Sequence, residues 1–285
     1  MKTLRTVTDS SMDYPRGWDE EYEINILPIN IELGGRSYRQ GIDLSPTKFY
    51  SLVREKKLFP KTSLPSTGQI VDFYRHIARK GDDILSLHVA SKMSGTFNAV
   101  TLAARELINE YNIFPFDSGN GSAGLAYMAK EARLLDRAGK SVQEIFARLE
   151  NIRKKITIVL TLDTLEFARR SGRVNAMQER ISSILQIKPI IMLKDGMLEI
   201  ADRVRSRKRS VERVLKLVRQ RVGDKVLNMA VVHAEDFSSA TDLLELAREK
   251  FCIKEMILTD LSISVAANLG PGTIGIVAYP AEEEE

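Results

Sequence analysis

Apolar and polar positions along the chain switch between a period of two and a period near 3.6 residues, which are the spacings of strands and helices. Residues 4–8 read as a strand, and 24–31 read as another that alternates towards a turn at Gly34-Gly35. Ser45-Pro46 opens a helix through residue 55, and 66–80 form another, with Ile70, Phe73, Tyr74 and Ile77 on one face. A buried strand at 84–89 leads to a helix over 94–111 and then a strand at 113–116. A further helix follows over 123–137, and Ser141-Val-Gln-Glu144 is a capping-box sequence that starts a helix reaching residue 154. The second half has a strand at 157–162 and a hairpin, 190–193 and 197–200, about Asp195-Gly196. After it come a helix at 210–221, a strand at 226–233, a helix at 239–250, and strands at 255–261 and 274–279.

Strand and helix alternate through the first half, which predicts an α/β domain with an open, mostly parallel sheet over residues 1–155. The hairpin marks a second, α+β domain over 156–280. The last residues, 281–285, form an acidic tail that is expected to be disordered. With 285 residues, 44% apolar and 28% charged, the chain has the composition of a globular protein with ample core.

A single cysteine, Cys252, permits no internal disulfide, which suits a reduced cytoplasm. The first eleven residues lack the apolar core of a signal peptide, and no stretch approaches the roughly 18 apolar residues of a membrane span. The formal net charge is +4, although four glutamates close the sequence. Arg203, Arg205, Arg207, Lys208, Arg209 and Arg213 face one acid, Glu212, within one short run. That run fits a solvated helix face as well as an anionic partner.

Three segments follow strands with small hydroxyl residues: Thr8-Asp9-Ser10-Ser11, Thr62-Ser63-Leu64-Pro65-Ser66-Thr67-Gly68, and Ser91-Lys92-Met93-Ser94-Gly95-Thr96. Ligands of open α/β sheets bind outside the carboxyl ends of the strands. Ser94-Gly95-Thr96 opens a long helix, so its hydroxyls and free backbone amides suit an anion, while Ser94 also suits an ordinary N-cap. Asn268-Leu269-Gly270-Pro271-Gly272 reads as a tight turn between two β segments, either a plain turn or a close backbone approach to a ligand. Gly121-Ser122-Ala123-Gly124 lacks both the Gly-Lys-Ser/Thr ending and the G-x-G-x-x-G spacing of nucleotide loops. His76 is placed in a helix, and His88 and His233 at apolar strands as hydrogen-bonded structural residues. No metal-ligand spacing and no hydrolase elbow is present, so neither a metal nor a catalytic residue is assigned. Residue chemistry alone favours a binder of a small anion or acid.

Taken in order, these segments resemble the DegV family, whose characterised members are FakB-type fatty-acid-binding subunits of a bacterial fatty acid kinase. Thr8-Asp-Ser-Ser-Met-Asp-Tyr-Pro15 is similar to the family's opening Asp-Ser-x-x-Asp-Leu-Pro, Lys61-Thr-Ser-Leu-Pro-Ser66 to its Thr-Ser-Gln-Pro-Ser, and Ser91-Lys-Met-Ser-Gly-Thr-Phe97 to its Ser-x-x-Leu-Ser-Gly-Thr-Tyr. Asp117-Ser118 with Gly124, the stretch Leu165-Glu-Phe-Ala-Arg-Arg-Ser-Gly-Arg-Val174, and Ile187-Lys-Pro-Ile190 with Asp195-Gly196 continue the match.

The resemblance implies two α/β domains with an acyl tunnel between them. It implies a fatty-acid carboxylate held by Thr62 and Ser94, with Asn268 as a third donor and Ser63, Gly95, Thr96 and Gly270 in support. It also implies a separate ATP-dependent kinase subunit as partner, which would make an acyl phosphate for phospholipid metabolism. This chain would then be a substrate-binding subunit and no enzyme by itself, with bound fatty acid as its ligand and no other cofactor. Arg173, Arg205 and Arg207 are candidates for a partner or phosphate face, with helix-end charge pairing as the plain alternative.

Three departures stand out. Asn268 replaces the family's histidine, Leu64 its glutamine, and Ser171 the first glycine of Gly-Gly-Arg. Asparagine still donates a hydrogen bond but gains no positive charge. A cytoplasmic, monomeric carrier without nucleic-acid partner is therefore expected. A stand-alone enzyme or binder for another small anionic metabolite, and a nucleic-acid binder using residues 203–213, are the competing functions.

Overall fold

A computed structural model describes residues 4–175 and 187–281, so the acidic residues 282–285 lie outside the described part. The chain divides into two compact units, Met1–Lys154 with Ser262–Ser264, and Lys155–Leu261 with Val265–Glu285.

In the first unit β1 (Leu4–Asp9) is followed by the short helix α1 (Trp18–Glu21) and β2 (Ile24–Leu27). The strand expected over 24–31 is two strands in two sheets. Pro28 has no N–H to continue the ladder, and Ile29 donates instead to Ser10 Oγ at 2.9 Å. β3 (Asn30–Leu33) then turns at Gly34-Gly35 into β4 (Arg36–Arg39). Helix α2 (Pro46–Lys56) has Ser45 as N-cap and proline in its first turn, where a missing N–H costs nothing. It is followed by β5 (Lys61–Ser63), which closes a three-stranded antiparallel sheet in the order β4-β3-β5. Thr62 and Ser63 are thus strand residues, opposite Ile31 and Asn30, and not loop residues.

Helix α3 (Thr67–Ile77) starts in a capping box: Gln69 N–H donates to Ser66 Oγ at 3.2 Å, and Ser66 N–H donates to Gln69 Oε1 at 2.8 Å. β6 (Asp83–His88), α4 (Thr96–Glu106), β7 (Asn112–Asp117), α5 (Ser122–Arg137) and α6 (Val142–Lys155) complete the unit. All four strands of its main sheet, β2-β1-β6-β7, are parallel. Ile70, Val71 and Tyr74 of α3 and Val100 and Ala103 of α4 pack on Val7 and Ile84, which point to one face of that sheet.

The second unit is built on one mixed seven-stranded sheet. After β8 (Thr157–Thr161), α7 (Glu166–Ser171) and β9 (Val174–Asn175), β10 (Lys188–Lys194) and β11 (Met197–Val204) form the expected hairpin. Its turn residues, Asp195 (φ 49°) and Gly196 (φ 79°), are both left-handed, as a two-residue hairpin turn requires. Then come α8 (Arg207–Val222), β12 (Leu227–His233), α9 (Phe237–Lys250), β13 (Ile253–Asp260), α10 (Ile263–Leu269) and β14 (Ile274–Pro280). The strand order is β13-β12-β14-β8-β10-β11-β9. Val214 and Val218 of α8 and Leu243 and Ala247 of α9 pack with Met229, Val231, Ile274 and Ile276 of the sheet. The turn expected at 268–272 is in part helix: Asn268 lies in the last turn of α10, and only Gly270-Pro271-Gly272 forms the exit. That helix is seven residues with only Ser264 and Asn268 polar, too short to show a period.

Candidate functional site

The parallel sheet of the first unit reverses its order between β1 and β6, since β2 lies beyond one and β7 beyond the other. The carboxyl ends of β1 and β6 flank the crevice where open α/β sheets place their ligands. Pairing of Val7 with Ser86 brings Asp9 beside His88 at those ends.

Both side chains are fully buried. His88 Nδ1 lies 3.1 Å from Asp9 Oδ2, and its Nε2 lies 2.7 Å from the Ser86 hydroxyl. The Ser86 hydroxyl lies 2.6 Å from that of Tyr74. Val89 N–H donates to Asp9 Oδ2 at 2.9 Å, Ser11 N–H donates to Oδ1 at 3.0 Å, and the Ser11 hydroxyl adds a further short bond to Oδ1. Burial on its own would raise the Asp9 pKa. The bonds from His88, the His88 charge, Ser11 and Val89 outweigh it and hold Asp9 below its ordinary value. Although Ser86, His88 and Asp9 come in the order of a hydrolytic triad, Ser86 is 0% exposed and its hydroxyl is engaged by Tyr74, so no substrate reaches it.

The segment after β6 places the residues expected to seat an anion. Met93 and Ser94 N–H groups both donate to Ala90 O, at 2.9 and 3.1 Å, folding the turn that presents Ser94. Gly95, not Ser94, is the N-cap of α4, and it has no side chain to cap with. Ser94 stands one residue earlier, its Oγ 2.9 Å from Thr96 Oγ1 and accepting the Thr96 N–H at 3.3 Å. A β-carbon on Gly95 would lie 3.2 Å from Leu64 Cδ2, which shows the segment after Thr62 and Ser63 packed on the Ser94-Gly95 turn. Ser94, Gly95 and Thr96 thus stand at the amino end of α4, whose opening amides have no acceptor within the helix, and Leu64, next to Ser63 in sequence, packs on Gly95. Thr62, Ser63 and Ser94 are half-buried and Thr96 is buried. These donors are neutral hydroxyls and amides, suited to an anionic oxygen without a fixed counter-charge.

Gly121 serves packing, because a β-carbon there would lie 3.3 Å from Val89 Cγ2. The Ser122 amide is spent on Ser11 O at 3.0 Å. No group of three metal-ligating side chains occurs among the described residues, and no described helix is long and apolar enough to cross a membrane.

In the second unit Asn268 is half-buried at the end of α10. Gly270 follows at φ 89°, where a β-carbon would lie 2.7 Å from Phe167 Cδ2, and its N–H donates to Ala266 O at 2.8 Å. Arg207 is held inside the unit by an ion pair with Asp236 and a hydrogen bond to Gly272 O. Arg205 is exposed. Arg173 follows α7, and its guanidinium donates to Ser171 O. Ser171 fits where it stands because Gly172, at φ 68°, takes the left-handed position that ends α7. The Ser171 hydroxyl donates to Ala168 O at 3.0 Å.

The sequence places His88 as a hydrogen-bonded structural residue without indicating its partners, Asp9 and Ser86. The available signal was Ser86 and His88 two residues apart on one face of an apolar strand, a polar pair that needs buried partners.

A parallel sheet with hydroxyl and amide groups at the end of its β6 strand, joined in sequence to a mixed-sheet unit, defines a two-unit α/β protein. The model of the family described as "Uncharacterised protein, DegV family" matches residues 3–281, and the chain belongs to that family. A DegV domain-containing protein of Listeria monocytogenes is 30% identical over 96% of this chain and 97% of its own length. Among solved structures, a fatty-acid-binding DegV family protein from Thermus thermophilus is 31% identical, with a TM-score of 0.88 over 99% of this chain and 100% of that one. DegV of Bacillus subtilis, described as a fatty acid binding protein, is 26% identical with a TM-score of 0.87 over the same shares.

Proposed function

We propose that this chain binds a long-chain fatty acid and presents its carboxylate to a separate ATP-dependent fatty acid kinase subunit, which forms the acyl phosphate. The supporting observation is the Ser94-Gly95-Thr96 turn at the amino end of α4, with Leu64 packed on it, in a chain that matches the fatty-acid-binding Thermus protein over 99% of its length. Thr62 and Ser94 are the carboxylate donors, and Ser63, Gly95 and Thr96 shape their surroundings. Neutral donors suit a carrier whose ligand must react later. An ion pair that stabilises the ground-state carboxylate as much as the transition state adds nothing to the chemical step. Exposed Arg205 is the first choice for a contact with the kinase subunit. The carrier works as a cytoplasmic monomer.

The deciding measurement compares native and denatured masses of protein purified without added lipid and identifies what dissociates. One fatty acid per chain is expected. An empty protein that also refuses added C14 to C18 acids would overturn the proposal. Ser94→Ala should weaken acid binding about tenfold or more, the loss of a hydrogen bond to a charged group, with the fold intact. Mixing loaded protein with a kinase subunit and ATP should yield acyl phosphate, and its absence would leave only the binding half standing.

A further inference from the structure

We propose that Asp9 is the positioning residue of the hydroxyl seat: one buried carboxylate ties the segment after β1 to the segment after β6 and so sets where the Ser94 hydroxyl stands. This rests on the fatty-acid reading and names the group behind its seat. Asp9 is 0% exposed, and its two oxygens receive four donors: Val89 N–H at 2.9 Å, His88 Nδ1–H at 3.1 Å, Ser11 N–H at 3.0 Å and the Ser11 hydroxyl. Val89 leads directly into Ala90, whose carbonyl accepts from Met93 and Ser94 N–H, so a displacement at Val89 is passed on to Ser94. The far side of the same turn is fixed independently, by Ala90 N–H to Asn120 O at 2.8 Å and Ser91 N–H to Asp117 Oδ1 at 3.1 Å. Asp9 thus ties this turn to β1, and the bonds to Asn120 and Asp117 tie it to the β7 side.

The same carboxylate reaches the Thr62 side through the chain His88, Ser86 and Tyr74. Tyr74 belongs to α3, which begins four residues after Ser63. The Asp9 charge is spent on its four donors and is not left to repel an incoming carboxylate. Asparagine has the same shape but only one acceptor oxygen, so Asp9→Asn turns an NH2 group towards donors at one end of the array.

The experiment measures oleic acid affinity by displacement of a fluorescent fatty acid, together with amide hydrogen exchange of the ligand-free protein. Asp9→Asn should weaken oleic acid binding about tenfold. The double variant Asp9→Asn/Ser94→Ala should bind no more weakly than the worse single variant, because Asp9 acts through Ser94. Exchange should rise at residues 10–12 and 89–94 and stay unchanged in β12 and β13. Full affinity in Asp9→Asn, independent multiplication of the two losses, or exchange rising evenly across the protein would overturn the proposal. Should Asp9→Asn fail to fold, Ser11→Ala removes a single donor, and it should show a loss of about two- to fivefold with the same dependence on Ser94. Full affinity in Ser11→Ala would then overturn it. If the wild-type chain takes up no oleic acid, the fatty-acid reading fails, and the exchange pattern still decides whether Asp9 holds the two segments.

Discussion

Each unit ends an apolar strand on a buried histidine beside an aspartate from the neighbouring strand, and the two pairs differ in nearly every physical respect. His88 faces a fully buried Asp9 at 3.1 Å, with every polar atom of the array engaged. His233 lies 3.4 Å from Asp260, whose side chain is 73% exposed, and its Nδ1 finds no hydrogen-bond partner among the described residues. Phe237 meets the His233 ring edge-on, with centroids 5.7 Å apart. Burial pushes His233 below its ordinary value, against the opposing charges of Asp260 and Asp236. A histidine closing a strand is thus an anchor where its acid is buried with it, and an ordinary packed ring where the acid remains in water.

The largest expected effect probes the frame that carries the weaker pair. A β-carbon at Gly275 in β14 would stand 2.3 Å from Val159 O, a backbone atom of β8. Gly275→Ala should therefore cost about 3 kcal/mol or more, because backbone cannot move aside as a flexible side chain can. Urea unfolding followed by circular dichroism measures it, and a near-neutral result would mean that the two strands can spread.

The histidine pairs themselves come next. Removing Asp9 by Asp9→Ala should cost about 2–3 kcal/mol, as the buried donors of Val89, Ser11 and His88 lose their acceptor. Asp260→Ala should cost less than about 1 kcal/mol, because Asp260 is itself exposed and screened. Equal losses in the two variants would erase the contrast.

The smallest effect is a pH dependence. His233 binds its proton less readily folded than unfolded, so its contribution is complete above its ordinary value of 6.5 and is lost as pH falls through its lowered folded value. Asp9 follows the same sign lower down: its contribution is complete above 3.8 and is lost on further acidification. Stability should therefore begin to decline below about pH 6.5, and His233→Asn should flatten that part of the curve while leaving the fall below pH 4. An unaltered slope in His233→Asn would assign the upper step to another group.

Elements with a strong period were legible. The helices at α2 to α6 and the Asp195-Gly196 hairpin follow from spacing, caps and turn chemistry, although α3 and α4 end several residues before the expected limits. The pattern failed where one apolar run serves two sheets, as at Pro28, and where a helix is too short to show a period, as at α7 and α10. In the site, the Ser94-Gly95-Thr96 seat was visible as a hydroxyl and glycine cluster before a helix. Its contact with Leu64, the displacement of Ser94 from the cap position, and the strand placement of Thr62 were not.

What the sequence determined by itself is therefore the set of local decisions: where most strands and helices lie, which loops carry hydroxyls, and the resemblance that led to the family. These depend on residues within a few positions of one another. The tertiary structure alone decided which loops meet at the β1/β6 switch point, and that Asp9 carries its charge to His88, 79 residues away, while Asp260 leaves its charge in water. Strand order and burial set these outcomes. A buried charge takes its energy from every donor packed around it, and those donors come from chain segments whose adjacency no local pattern records.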